Sequence, residues 1–178
     1  VKWVGEASRA EENRIRNCTF IDGASYDIVD PLRGDVVVSE VLGNFPYEEH
    51  IIETMNDARR FLLPGGSLLP QQLRAYVAPV IGKDVAATVD TWRNADPLLS
   101  FDAARAVALQ NPYVRTIPAS SLLNGGRSSR VWDSIDFRSV NRSHRIGTVE
   151  WTIEQRAEIV GFAAWWDALL TDTVTLST

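Results

Sequence analysis

The hydrophobic positions of this chain change their period along its length, and the change separates two textures. Residues 1–4 read as a short strand, and "SRAEENRIRN" at 8–17 as a short helix. "CTFID" at 18–22 reads as a second strand that ends at Gly23. The clearest strand is "DVVVSE" at 35–40, whose three consecutive valines predict burial on both faces, as in a parallel sheet. A helix over about 47–62 comes next, with Ile51, Ile52, Met55, Ala58, Phe61 and Leu62 on one stripe. Pro46 suits its first turn, and Glu48 and Glu49 suit its positive end. "LPGGSLLP" at 63–70 reads as a helix stop and turn, ahead of the strand "LRAYVAPV" at 73–80. Up to residue 70 this order of strands and helices predicts an α/β sheet.

From residue 71 to 178 the segments instead alternate at period two. "RAYVAPV", "SRVWDSIDF", "GTVEWTI", "EIVGFAAWWDALL" and "TVTLST" are separated by short polar or glycine-containing turns. That texture predicts an antiparallel sheet or β-barrel. "SFDAARAVALQNP" at 100–112 is the exception and reads as a short helix inserted among strands. The boundary falls near Pro70, giving parts 1–70 and 71–178. No repeat, low-complexity tract or flexible linker separates them, so close packing of the two is expected.

Composition narrows the function classes. The chain has 178 residues, 45% hydrophobic and 23% charged, which suits a soluble protein of one domain or two small ones. No apolar run approaches the roughly 20 residues that cross a bilayer, and the start turns charged too soon for a signal peptide. A single cysteine, Cys18, excludes an internal disulfide and fits a reducing cytoplasm. The net charge of −5 disfavours nonspecific nucleic-acid binding and suits a cationic partner. "VKWV" reads as a strand already under way, so the chain is expected to begin inside a larger protein. His50 and His144 have no partner at metal-ligand spacing, and no metal site is expected. Trp165 and Trp166 are expected to pack the barrel. Arg127, Arg130, Arg138, Arg142 and Arg145 are expected to form a solvated basic face.

Candidate chemistry gathers where an open α/β sheet collects ligands, at the carboxyl ends of its strands. Glu6 follows the first strand, Gly23-Ala24-Ser25 the second, and Glu40 the third. By position, Glu6 serves equally as a ribose acceptor or as a residue opening the next helix. Glu40 and Glu49 stand nine positions apart, joined by a loop that reverses at Gly43. Two carboxylates brought together repel unless a cation lies between them. A guanidinium is the natural occupant, being planar, permanently charged and bidentate towards carboxylates. The alternative is that Glu40 pairs with an arginine of this same chain while Glu49 is solvated.

"SEVLGNFPYEE" resembles the double-glutamate loop of the protein arginine methyltransferases: Ser-Glu, two residues, Gly, and a second Glu nine positions after the first. "ARRFLLPGGSLLP" is similar to that family's next segment, and "EAS" at 6–8 to the acidic end of its second strand. "FDAARAVALQNPYV" resembles its helical dimerisation arm, and "VGFAAWWDALLTDTVTLST" a barrel segment ending in Leu-Ser-Thr. The resemblance implies a class I methyltransferase sheet followed by an antiparallel β-barrel, dimeric through an arm at about 93–118. It implies S-adenosylmethionine as cofactor and an arginine-containing protein as substrate. By the same resemblance Glu40 and Glu49 hold the substrate arginine, Glu6 binds the ribose, and Gly23, Ala24 and Ser25 lie beside the adenine. Glu48 matches no required position and reads as a solvated helix-start residue.

The chain also departs from that pattern. Only five residues precede Glu6, so the family's glycine-rich cofactor loop is not among them. Only the stretch from residue 9 to 16 lies between "EAS" and "NCTFID", where the family has a full helix, and the chain stops at Thr178, before the expected Thr-His-Trp loop. A segment carrying the substrate clamp and part of the cofactor site is therefore expected. Two other readings remain: a non-catalytic relative acting as a binding or assembly subunit, and a class I methyltransferase for a small cationic molecule.

Overall fold

The computed structural model describes residues 12–178. The expected strand at 1–4, the start of the helix at 8–17, and Glu6 lie outside the described residues. Strand β1 (Gly34–Val38) and strand β2 (Leu62–Leu69) pair in parallel, joined by helix α1 (Ile51–Ala58), which makes a βαβ unit. The apolar stripe places Ile51, Ile52, Met55 and Ala58 of α1 in the core.

Four local expectations are corrected here. "CTFID" is irregular, with Phe20 and Ile21 half-exposed, because β1 takes its ladder from β2 and no described strand pairs with 18–22. "LPGGSLL" continues as β2 rather than turning away. Its irregularity is absorbed by a bulge between the pairs Gly34–Leu62 and Val36–Ser67. Gly65 takes a positive φ of 82° there, and a Cβ on Gly66 would lie 2.7 Å from the Asp35 carbonyl oxygen. The valine strand is buried on one face, not two: Val37 packs against the core, whereas Val36 and Val38 are 56% and 69% exposed. Finally, α1 begins at Ile51 instead of 47, since His50 adopts a left-handed φ of 55° that breaks the helix before it. It ends at Ala58, with Arg59–Phe61 a tighter 3-10 turn.

The second part forms a four-stranded antiparallel sheet in the order β4-β3-β5-β6. Its strands are β3 (Gln72–Val80), β4 (Arg130–Asp136), β5 (Gly161–Thr171) and β6 (Val174–Ser177). The long β3–β5 ladder runs without a break from Gln72–Leu169 to Val80–Gly161. The sheet stays open among the described residues, where a closed barrel was expected. The expected strand "GTVEWTI" is irregular, although it runs close beside β4. A Cβ on Gly147 would stand 2.1 Å from the Trp132 carbonyl oxygen, and the Trp151 indole donates to the Ser128 carbonyl at 2.6 Å. A side-chain bond, rather than a ladder, holds that segment.

Helix α3 (Asp102–Leu109) lies where the pattern placed it, and a further short helix, α2 (Lys83–Val89), was not anticipated. Asp90, at the end of α2, receives both Nε and Nη2 of Arg105 from α3, at 2.6 and 2.9 Å, and also pairs with Arg93. Trp92 and Phe101 bring their ring centres within 5.5 Å.

One buried cluster spans both parts. Ile51, Ile52 and Met55 of α1 and Leu68 of β2 meet Leu73, Ile135, Trp166 and Ala168 of the antiparallel sheet and Phe137 just past β4. Polar bonds reinforce this join. Asn56 exchanges two hydrogen bonds with the backbone of Asn141, and Arg59 donates to the Phe137 carbonyl at 3.1 Å. The carboxylate-bearing loop leaves β1 at the edge of this shared core.

Candidate functional site

The loop from Ser39 to His50 is built from apolar anchors with carboxylates at its two ends. Ser39 donates its N–H to the Leu69 carbonyl, the last rung beside β2. Glu40 follows, exposed, and accepts a long 3.4 Å bond from the Leu42 N–H. Val41 and Leu42 then pack against the core. The Gly43 carbonyl accepts the indole N–H of Trp166, on β5, at 3.0 Å.

The middle of the loop docks on β4. Phe45 stacks on Trp132 with ring centres 6.2 Å apart, and Tyr47 stands edge-on to both rings. Pro46 is buried between them in sequence. The Tyr47 hydroxyl donates to Asp133 Oδ2 at 2.6 Å, and Arg145 grips the same carboxylate through Nε at 2.7 Å and through Nη2. Asp133 thus fastens a loop that lies 86 residues away in sequence.

Gly43 is required by close approach rather than by its own backbone angle. A Cβ there would lie 2.8 Å from both Cβ and Oε2 of Glu48. Glu48 is accordingly not a helix-start residue: it folds across Gly43 and accepts the Phe45 N–H at 3.2 Å. Glu49 is exposed and makes no hydrogen bond or ion pair among the described residues. Glu40 likewise has no arginine partner among the described residues, so the internal ion pair considered for it is not formed there.

Of the basic stretch, Arg127, Arg130, Arg138 and Arg142 are exposed as expected, and Arg145 is the exception. Arg145 is mostly buried against Asp133, and Arg138 pairs with Asp136. Burial works against the Asp133 carboxylate, but the Arg145 guanidinium and the Tyr47 hydroxyl outweigh it and hold its pKa below the ordinary carboxylate value. Burial, reinforced by the hydrogen bond to the Asp133 anion, pushes the Tyr47 phenol well above its ordinary value.

The expected adenine turn lies at the other end of α1. Ser25 opens a single 3-10 turn, Ser25–Asp27, on which Gly23 and Ala24 lead. Arg60, just past α1, donates to the Ser25 and Ile28 carbonyls at 3.0 and 2.9 Å and pairs with Asp57. Glu49 precedes α1 and Arg60 follows it, so the eight-residue helix, about 12 Å long, lies between the two. Among the described residues, nothing beyond its chain neighbours lies within 4 Å of a Cβ built on Gly23, which leaves room beside the turn.

Sequence reasoning missed Tyr47, Trp132 and Asp133, placed Arg145 on a solvated basic face, and gave Trp166 only a packing role. Their one local signal is the polar tip that buried tyrosine and tryptophan normally have to satisfy. Among the described residues no three His, Cys, Asp or Glu side chains gather as a metal site would need. No described helix is long and apolar enough to cross a membrane.

Comparisons with known proteins agree on one fold. No protein-family model matches the chain. It is 28% identical over 138 residues to the probable protein arginine N-methyltransferase 6 of Arabidopsis thaliana, which covers 75% of this chain and 32% of that protein. Among solved structures, Arabidopsis thaliana protein arginine methyltransferase 10, in an open conformation, aligns with a TM-score of 0.69 at 17% identity. That match covers 96% of this chain and 58% of the solved one. The Trypanosoma brucei PRMT1 enzyme–prozyme heterotetrameric complex with AdoHcy aligns at 0.66 and 18% identity, over 94% of this chain and 55% of that one. The chain therefore has the fold of these arginine methyltransferase structures, and it spans about a quarter to a third of the length of the curated relatives it matches.

Proposed function

We propose that the protein to which this chain belongs transfers a methyl group from S-adenosylmethionine to a guanidinium nitrogen of arginine in a protein. The observation that supports this best is the loop itself. Glu40 and Glu49 bracket a segment fastened at Gly43, Phe45 and Tyr47, yet both glutamates stay exposed and free of any arginine of the described chain. Exposed carboxylates on a loop fastened to both neighbouring strands, with no cationic partner among the described residues, suit an external cation.

In this reading Glu40 and Glu49 orient the planar guanidinium and aim one nitrogen outward. Such orientation contributes roughly 7–11 kcal/mol in favourable cases. Their charges also offset the repulsion between a cationic donor and a cationic acceptor, the electrostatic role that often dominates catalysis. Hydrogen bonds to two of the guanidinium nitrogens draw positive charge away from the attacking one. The open turn at Gly23, Ala24 and Ser25, fixed by Arg60, fits the adenine end of the cofactor, and Glu6 is assigned its ribose. The cofactor supplies an electrophilic methyl group. Residues 1–70 are read as part of the methyltransferase domain and 71–178 as the substrate-binding domain. The 93–118 segment is read as the arm of a homodimer, and the setting as cytoplasmic.

The test is incubation of the full-length protein with radiolabelled S-adenosylmethionine and arginine-rich or lysine-rich peptides. Label on the arginine peptide alone is expected. Label confined to lysine peptides or small molecules would contradict the assignment.

A further inference from the structure

We propose that Tyr47, Asp133 and Arg145 are positioning residues that set Glu49 for its guanidinium, an inference that rests on the clamp reading above. Glu49 has no hydrogen bond of its own among the described residues, so its placement comes from the backbone on either side. On one side stands Ile51, buried in the core. On the other stands Tyr47, two residues away, held by its hydroxyl to Asp133 and by its ring to Trp132 and Phe45. Tyr47 is thus held by two kinds of contact, ring packing and a directed hydrogen bond.

The chemistry of the anchor supports a geometric role. Asp133 accepts from Tyr47, from Arg145 and from the Ser134 N–H, so both of its oxygens are satisfied. Arg145 cancels its charge, and the anchor adds no net charge beside the glutamates. A mostly buried ion pair is weak evidence for stability, since desolvation offsets much of the attraction. An apolar residue at 47 would pack as well against Trp132. The hydroxyl and its ion pair are what fix the loop's register against β4.

The experiment uses the full-length protein with an arginine-rich peptide, followed by turnover and by fluorescence-anisotropy binding of the labelled peptide. The variants are Tyr47→Phe, Asp133→Asn, Glu49→Gln and the Tyr47→Phe/Glu49→Gln pair. Tyr47→Phe keeps the ring and removes one oxygen, so it remains informative where Asp133→Asn fails to fold. Tyr47→Phe is expected to lower kcat/KM for the peptide about tenfold or more, as misplacing a catalytic group by a fraction of an ångström does. The KM for S-adenosylmethionine is expected to stay unchanged. In the Glu49→Gln background, Tyr47→Phe is expected to weaken peptide binding no further, because Tyr47 acts through Glu49. Wild-type kcat/KM in Tyr47→Phe, or binding losses that multiply in the double variant, overturns the positioning role while leaving the clamp standing. A loss of melting temperature with unchanged peptide kinetics also overturns it. Wild-type binding and turnover in Glu49→Gln overturns the clamp, and this proposal with it.

Discussion

At the scale of single residues, three contacts decide the shape of the loop, and each gives a measurable outcome. Gly43→Ala drives a methyl group into Glu48 at 2.8 Å. The loop must open or Glu48 must leave Phe45, so a loss of about 1–3 kcal/mol in urea unfolding is expected. An unchanged midpoint would show that Glu48 moves aside freely. Trp166→Phe leaves a smaller aromatic ring in the core and strips the Gly43 carbonyl of its indole donor, and at least about 1–3 kcal/mol of destabilisation is expected. The anchor also gives a pH signature. The folded pKa of Asp133 lies below its unfolded value near 3.8, so the stability it contributes is present above that pH and is lost as the pH falls through the folded value. Tyr47 has the opposite sign: its folded pKa is raised, so its contribution is intact below about pH 10 and declines as the pH rises beyond it. Thermal melts across pH should show a shallower acid limb in Asp133→Asn and a shallower alkaline limb in Tyr47→Phe. Limbs unchanged from the parent protein would remove the Tyr47–Asp133 bond from the account.

At the scale of elements, the legible parts were those whose period is local. The α1 stripe was readable because Ile51, Ile52, Met55 and Ala58 recur on one helical face, and all four are buried. β3, β4, β5 and β6 were readable from alternation, and α3 from its alanine-rich run. What failed was set by partners distant in sequence. "CTFID" has strand composition but no described strand to pair with, whereas "PGGSLL" has turn composition and became β2 because β1 lies beside it. "GTVEWTI" alternates correctly yet passes β4 without a ladder. The carboxylate spacing and Gly43 were visible in sixteen consecutive residues, but their fastening was not, since Trp166 and Asp133 lie 123 and 86 positions from their partners. α1 is the element that joins the two sheets. Met55→Ala should therefore cost about 2–5 kcal/mol, as truncation at a fully buried site does. A single, steeper or shallower but still cooperative transition is expected, because both sheets share the core that Met55 enters. Separate melting of the two parts would contradict that shared core.

At the scale of the whole molecule, the antiparallel sheet frames the carboxylate loop as well as extending the chain. β5 holds Gly43 through Trp166, and β4 holds Tyr47 through Asp133. The parallel pair and α1 carry the loop's two ends, while the turn at 23–25 is tied to the far end of α1 by Arg60. In the proposed function, the donor site at the 23–25 turn and the acceptor site at the carboxylate loop would stand at opposite ends of α1, a span for an extended cofactor to bridge. The central claim is that Glu40 and Glu49 hold the arginine. It is tested most directly by single-turnover methyl transfer from labelled S-adenosylmethionine to an arginine peptide, comparing the full-length protein with its Glu40→Gln and Glu49→Gln variants. Each variant should lose on the order of a hundredfold or more in rate, as removal of one charge-stabilising group typically does, with S-adenosylmethionine binding retained. Rates within twofold of the parent protein in both variants would contradict the claim.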